Sequence, residues 1–124
     1  MAGKQVLVVD DEPFILRSLS FVLQKGQHQV LEARDGEQAL ALIKEHHPRL
    51  VFLDVMMPKM NGYDVVRAVR EDESLVDVHL VLLTAKGQES DRTLGIEAGA
   101  NAYMTKPFSP SKILEVANEV LAEG

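Results

Sequence analysis

The sequence predicts an α/β fold with a five-stranded parallel sheet, and three features support that prediction. Five short apolar runs alternate with five stretches that have helical periodicity. Three of the runs contain at most one polar residue, which is typical of parallel strands covered by helices on both faces. The other two are more polar, as expected at the edges of a sheet. The five predicted strands are residues 5–9, 28–33, 50–53, 79–83 and 100–104.

The predicted helices have recognisable starts and apolar stripes. Pro13 suits the first turn of helix 1, and Ser109 with Pro110 suits the start of helix 5. Asp35 and Gln38 have the spacing of a capping box before helix 2. Helix 4, predicted over residues 88–98, has few apolar positions. The stripes are Ile15, Leu19, Val22 and Leu23 in helix 1, Ala39, Leu42 and Ile43 in helix 2, Val65, Val66 and Val69 in helix 3, and Ile113, Ala117, Val120 and Leu121 in helix 5.

The connections between these elements are short, and Gly62 is expected to serve the geometry of the turn before helix 3. Right-handed crossovers place helices on both faces of the sheet. With the two polar strands at the edges, the strand order is 2-1-3-4-5, the flavodoxin-like (βα)₅ doubly wound arrangement. The length of 124 residues predicts a single domain, residues 1–124. In such a sheet, ligands bind at the carboxyl ends of the strands.

Composition excludes several classes of function. The formal net charge of −6 argues against a nucleic-acid-binding surface, which is net basic. The absence of cysteine excludes disulfide frameworks, thiolate zinc sites and cysteine nucleophiles. No run approaches the ~20 apolar residues of a membrane span, and the first residues lack the profile of a secretory signal. We therefore expect a cytoplasmic protein without a membrane partner.

Polar side chains collect at the carboxyl ends of four predicted strands. Because these ends meet at one edge of a parallel sheet, the side chains are expected to converge there. The residues are Asp10, Asp11 and Glu12 after strand 1, Asp54 at the end of strand 3, Thr84 at the end of strand 4 and Lys106 after strand 5.

The electrostatics of this group predict a divalent cation. Two carboxylates about 4 Å apart repel each other by about 4 kcal/mol at an effective dielectric constant near 20. Asp10, Asp11 and Asp54 therefore need more positive charge than one lysine supplies, and Mg²⁺ is a cation that prefers oxygen ligands. The Asp54 carboxylate could then act as a nucleophile and form an aspartyl phosphate. Lys106 and Thr84 would meet the charge that develops on the phosphoryl oxygens.

Four segments of the chain resemble the receiver domain of two-component response regulators. Each segment alone is a weak signal, but all four occur in order and at receiver-like spacing over essentially the whole chain. They are residues 6–13 (Val-Leu-Val-Val-Asp-Asp-Glu-Pro), 53–62 (Leu-Asp-Val-Met-Met-Pro-Lys-Met-Asn-Gly), 82–86 (Leu-Leu-Thr-Ala-Lys) and 102–108 (Ala-Tyr-Met-Thr-Lys-Pro-Phe).

The resemblance implies a role for each acidic residue. Asp54 corresponds to the phosphoacceptor of the family. Asp11 and Asp54 are expected to bind Mg²⁺ directly, together with the backbone carbonyl of Met56. Asp10 is expected to act on the metal directly or through water.

The resemblance also implies roles for the residues of the last two strands. Thr84 and Lys106 are expected to contact the phosphoryl group, and Tyr103 is the expected aromatic rotamer switch. The Lys106–Pro107 peptide bond is expected to be cis, which costs only ~0.5–1 kcal/mol before proline. Lys86 is expected to flank the entrance to the phosphoryl group.

Partners follow from the same resemblance. A histidine kinase or a phosphotransfer protein is expected to donate the phosphoryl group to Asp54, in a signalling domain that promotes its own phosphorylation and dephosphorylation but is not an enzyme. The face formed by helix 4, strand 5 and helix 5 is expected to change and to bind a downstream effector protein or domain. A stand-alone receiver, a piece of a longer regulator and a phosphorylation-dependent homodimer all remain open.

Three alternative functions are weighed against this interpretation. A flavodoxin-type FMN carrier needs a first loop that cradles phosphate, but the loop at residues 10–13 is acidic. A phosphatase of the haloacid-dehalogenase type usually has a second acid two residues after its nucleophile, where this chain has Met56. A degenerate receiver that acts purely as a binding module would lack site residues, but all of them are present.

Overall fold

A computed structural model of the chain describes residues 5–57, 59–85, 90–106 and 108–122. Strands and helices alternate along the chain, and a short 3₁₀ helix (Glu73–Leu75) follows the third helix. The elements are β1 (Gln5–Val9), α1 (Pro13–Lys25), β2 (Gln29–Ala33), α2 (Gly36–His46), β3 (Leu50–Asp54), α3 (Gly62–Arg70), β4 (His79–Ala85), α4 (Ser90–Ala98), β5 (Ala102–Lys106) and α5 (Pro110–Ala122).

The sheet confirms the predicted doubly wound topology. Its five strands are parallel and follow the order β2-β1-β3-β4-β5. Side chains on alternate positions of β1, β3 and β4 enter two separate apolar clusters, one on each face. Helices α2 and α3 contribute to one cluster, and α1 and α5 contribute to the other. Among the helices in the described ranges, none is both long enough and apolar enough to cross a bilayer.

The boundaries of four strands differ from the prediction by one or two residues, and the largest differences are in β4 and β5. β4 extends to Ala85, so Thr84 lies inside the strand rather than at its end. β5 begins at Ala102, two residues later than predicted, because Ala100 still belongs to the turn that ends α4, where its backbone N–H donates to Gly95 O at 3.0 Å. α4 is described from Ser90 onward, and the predicted helical positions 88 and 89 lie outside the described residues.

The starts of α2 and α3 are capped by side chains. Asp35 accepts a hydrogen bond from the backbone N–H of Gln38 at 2.8 Å, as predicted. The Gln38 side chain accepts from the backbone N–H of Arg34 instead of that of Asp35, so only half of the predicted capping box forms. A complete capping box, which was not predicted, joins Asn61 and Asp64 at the start of α3.

Gly62 has a different role from the one expected. Its φ does not lie in the left-handed region, and its backbone N–H donates to Val55 O at 2.9 Å. A Cβ placed on Gly62 would lie 2.6 Å from the carbonyl oxygen of Asp54 and 3.0 Å from Val55 Cα. The missing side chain therefore lets the first turn of α3 pack directly against the backbone at the end of β3.

Candidate functional site

Three aspartates meet at the carboxyl ends of β1 and β3. Asp54 is the last residue of β3, and Asp10 directly follows β1, which pairs with β3 in the sheet. Carboxylate oxygens of Asp10, Asp11 and Asp54 lie within 4.8 Å of one another. Asp10 and Asp54 are buried, with 0% and 6% of their surface exposed, whereas Asp11 is exposed. The cluster is thus open to solvent on the side of Asp11.

Lys106 joins two of these carboxylates. Its Nζ lies 2.9 Å from Asp10 Oδ2 and 3.1 Å from Asp54 Oδ1. Because β4 lies between β3 and β5, the lysine side chain spans the end of β4 to reach Asp54. Three ionised carboxylates and one ammonium leave two excess negative charges, a donor set that fits a divalent cation.

The orientation of the Asp10 carboxylate is fixed from two sides. Its Oδ1 accepts a hydrogen bond from the backbone N–H of Glu12 at 2.9 Å, and its Oδ2 accepts from Lys106. The backbone N–H of Asp10 donates to Ala33 O at 3.2 Å. These contacts provide a buried carboxylate with the charged partner and hydrogen bonds that it needs.

The surroundings of Asp54 favour its neutral form. Burial raises the pKa of Asp54 from 3.8 to about 6, and the negative charge of Asp10 adds to the increase. The Lys106 ammonium opposes the shift through its charge and its hydrogen bond. Near neutral pH the ionised carboxylate is therefore costly in the cation-free protein, and a bound cation would relieve that cost.

Asp54→Asn is expected to stabilise the cation-free protein at neutral pH by about 1–3 kcal/mol. The pKa of Asp54 is higher in the folded than in the unfolded state, so its stabilising contribution is present below pH 3.8 and is lost as the pH rises to about 6. The stability difference between Asp54→Asn and the wild type should therefore increase across this range and then level off. Urea unfolding in the presence of a chelator measures this stability difference. Asp77→Asn, which replaces an exposed aspartate, is the control. A difference that does not change with pH would contradict the prediction.

Thr84 and Tyr103 lie on the neighbouring strands. Thr84 is buried in β4, and its register partner in β5 is Thr105. Tyr103 is half-buried in β5 and pairs in register with Leu82, two residues before Thr84. Thr84 directly follows Leu83, the register partner of Asp54, and so lies close to the end of β3, whereas Tyr103 lies three residues before Lys106 in β5.

The other predicted site residues lie at the rim or outside the described residues. Met56 follows β3 by two residues, and its side chain is 66% exposed. Lys86 and the Lys106–Pro107 peptide bond fall outside the described residues, and the expectations for them stay predictions.

A comparison with protein families identifies the chain. Residues 6–118 match the family model of the response regulator receiver domain. The chain belongs to this family. Receiver domains of response regulators are signalling domains that interact with histidine kinases and effector domains.

Curated relatives of this receiver domain are transcriptional regulators. The chain is 40% identical over 121 residues to the phosphate regulon transcriptional regulatory protein PhoB of Pseudomonas aeruginosa, covering 98% of this chain and 53% of the relative. It is 43% identical over 111 residues to the alkaline phosphatase synthesis transcriptional regulatory protein PhoP of Bacillus subtilis, covering 90% of this chain and 45% of the relative. The receiver domain thus spans about half the length of these relatives.

Solved structures of receiver proteins share the fold over almost the whole chain. The chemotaxis protein CheY4 of Vibrio cholerae matches with a TM-score of 0.87 and 32% identity, covering 96% of this chain and 99% of the other. The receiver domain of NtrX from Brucella abortus matches with a TM-score of 0.87 and 28% identity, covering 97% and 100%. The predicted fold and the resemblance to receiver domains are both confirmed.

Proposed function

We propose that residues 1–124 form a single cytoplasmic receiver domain that accepts a phosphoryl group on Asp54 from a histidine kinase or a phosphotransfer protein. The observation that carries the proposal is the contact of Lys106 Nζ with Asp54 Oδ1 at 3.1 Å, within a cluster of three aspartates. The Asp54 carboxylate is the nucleophile, the Lys106 ammonium is placed to interact with the phosphoryl oxygens, and the three aspartates offer ligands to a metal ion. Membership in the receiver family supports it against the flavin-carrier and phosphatase alternatives.

The acidic cluster fits Mg²⁺. Its carboxylate oxygens lie within 4.8 Å of one another and are hard ligands of the kind that this ion prefers. Asp11 and Asp54 would bind the ion directly with the backbone carbonyl of Met56, and Asp10 would act directly or through water. The ion would neutralise the charge shared by Asp54 and the incoming phosphoryl group.

The side chains of the site then perform the transfer. An Asp54 carboxylate oxygen attacks the phosphorus atom in line, a P–O bond forms, and the P–N bond to the donor histidine breaks. The leaving imidazole takes up a proton. Lys106, already 3.1 Å from Asp54, interacts with a phosphoryl oxygen as its negative charge develops, and the Thr84 hydroxyl donates to another.

Phosphorylation would then change the surface that partners bind. Movement of Thr84 toward the phosphoryl group leaves space that Tyr103 fills. The two residues lie in adjacent strands: Thr84 is in β4, the strand that precedes α4, and Tyr103 is in β5, between α4 and α5. The face formed by α4, β5 and α5 therefore takes two arrangements, and a downstream effector protein or domain binds one of them.

Incubation with acetyl phosphate and Mg²⁺, followed by intact-mass measurement, tests this function. The wild type is expected to gain one labile phosphoryl group, and Asp54→Ala none. Asp77→Ala, which removes an exposed aspartate outside the cluster, is the matched control and should be phosphorylated like the wild type. An adduct on Asp54→Ala, or no adduct on the wild type, would overturn the proposal.

A further inference from the structure

Helix α4 contributes little apolar surface to the core. Of its residues 93–98, Leu94 and Ile96 are each 48% exposed and Gly95 is buried. A Cβ on Gly95 would lie 2.5 Å from Leu82 Cδ1 and 3.6 Å from Tyr63 Cε1, so the helix backbone itself packs on β4 and α3. Because few apolar side chains of this helix are buried, its position and local stability depend on the contacts at its ends.

Arg70, the last residue of α3, contacts the C-terminal end of α4. Its Nε donates a hydrogen bond to the carbonyl oxygen of Gly99, the residue that directly follows α4, at 2.9 Å. Gly99 has a φ of +116°, and a Cβ there would lie 2.6 Å from Arg70 Cγ. Both the left-handed backbone and the close approach of the arginine stem therefore require glycine at this position.

The same guanidinium connects this end of α4 to the sheet. Arg70 Nη2 donates to Val78 O at 2.9 Å and to Asn101 Oδ1 at 2.7 Å. Asn101 Oδ1 also accepts from the backbone N–H of Leu80 at 2.8 Å. Nη1 is buried without a hydrogen-bond partner among the described residues. The guanidinium thus joins the end of α4, the residue before β4 and the residue before β5 through three hydrogen bonds.

We propose that Arg70 is a positioning residue that fixes the C-terminal end of α4, so that α4 pivots about Gly99 when the domain is phosphorylated. The N-terminal end of α4 follows β4, which carries Thr84, whereas its C-terminal end is held by α3. The rearrangement is therefore largest at the N-terminal end of α4. This inference rests on the proposed function, in which the α4–β5–α5 face changes.

Hydrogen–deuterium exchange of the free protein tests the role of Arg70 directly. In Arg70→Gln, peptides covering residues 94–101 should exchange about tenfold faster than in the wild type, while peptides of β3 stay unchanged. Arg67→Gln is the matched control, because Arg67 lies on the same helix but is exposed, and its guanidinium lies 3.5 Å from the side chain of Asp64 on that helix. If Arg70→Gln does not fold, Asn101→Ala removes a single acceptor and should accelerate the same peptides to a smaller degree. Equal exchange at residues 94–101 in the wild type and in these variants would overturn the proposal.

Exchange in the presence of Mg²⁺ and beryllofluoride, a mimic of the phosphoryl group, tests the pivot. In the wild type the change should be concentrated at residues 90–94 and small at 96–101, and in Arg70→Gln it should spread to 96–101. A uniform change along α4 in the wild type would overturn the pivot. A complex that leaves exchange unchanged everywhere would instead contradict the proposed function, and the comparison of Arg70→Gln with Arg67→Gln in the free protein would still decide the role of Arg70.

Discussion

Lys106→Met is expected to slow the phosphorylation of Asp54 by about 100-fold or more. Methionine keeps most of the side-chain volume but removes the ammonium that lies 2.9 Å from Asp10 and 3.1 Å from Asp54. That charge is already oriented by both carboxylates, so in the proposed transfer it would stabilise the developing charge on the phosphoryl oxygens without a further rearrangement. Its loss also removes the charge and the hydrogen bond that oppose the increase in the pKa of Asp54, and therefore raises that pKa further.

The rate with acetyl phosphate and Mg²⁺, followed by intact mass, measures this effect. Lys112→Met is the matched control, because Lys112 is exposed in α5 and lies 3.6 Å from the exposed Glu115. It should be phosphorylated at the wild-type rate. Urea unfolding of both variants separates a defect in transfer from a loss of the fold. If folded Lys106→Met reacted as fast as Lys112→Met, Lys106 would have no part in the transfer.

The fold could be predicted because the apolar or polar composition of each strand indicates whether it lies in the centre or at the edge of a parallel sheet. β3 is buried at every position, and its apolar run is uninterrupted until Asp54. β2 contains two polar residues, Gln29 and Glu32, and lies at the edge of the sheet, as its composition predicted. The predicted start of β5 was wrong by two residues because Ala100 belongs to the turn that ends α4, where its backbone N–H donates to Gly95 O. Gly99, which has a φ of +116°, is a local signal for such a helix ending and could have corrected the boundary.

The site could be predicted in its composition but not in its contacts. The topological rule for parallel sheets brings Asp10, Asp54 and Lys106 together from distant parts of the chain. It does not predict that Lys106 contacts both carboxylates, nor that the Glu12 N–H orients Asp10. The Asn61–Asp64 capping box has a recognisable spacing and could have been found from sequence.

Close packing of glycine is harder to predict, because the partner atoms lie far away in the sequence. Gly36, the first residue of α2, packs against the loop that joins β3 to α3. A Cβ on Gly36 would lie 2.1 Å from the carbonyl oxygen of Met60 and 2.6 Å from Met60 Cβ. In the same loop Lys59 has a φ of +68°, and its Nζ lies 3.9 Å from Asp35 Oδ2. The start of α2 thus helps to fix the loop that contains Met56, a proposed Mg²⁺ ligand.

Gly36→Ala is therefore expected to lower the free energy of unfolding by about 3 kcal/mol. Alanine is more favourable than glycine in a helix by about 1 kcal/mol. A lower free energy of unfolding in Gly36→Ala would therefore reflect the clash of its Cβ with the Met60 backbone. If the variant folds, the loop must move, and Mg²⁺ binding should weaken because the Met56 carbonyl moves with it. Urea unfolding and a calorimetric titration with Mg²⁺ measure the two effects.

Gly26→Ala provides the matched control for this clash. A Cβ there would lie 2.6 Å from Leu114 Cδ2, which is the end of a flexible side chain, and Gly26 has an ordinary φ of −81°. Rotation of Leu114 can relieve that contact, whereas no rotation moves the carbonyl oxygen of Met60. Gly26→Ala should therefore cost about 1 kcal/mol or less and leave Mg²⁺ affinity unchanged. If Gly36→Ala were no less stable than Gly26→Ala and bound Mg²⁺ equally well, the start of α2 would not position the loop.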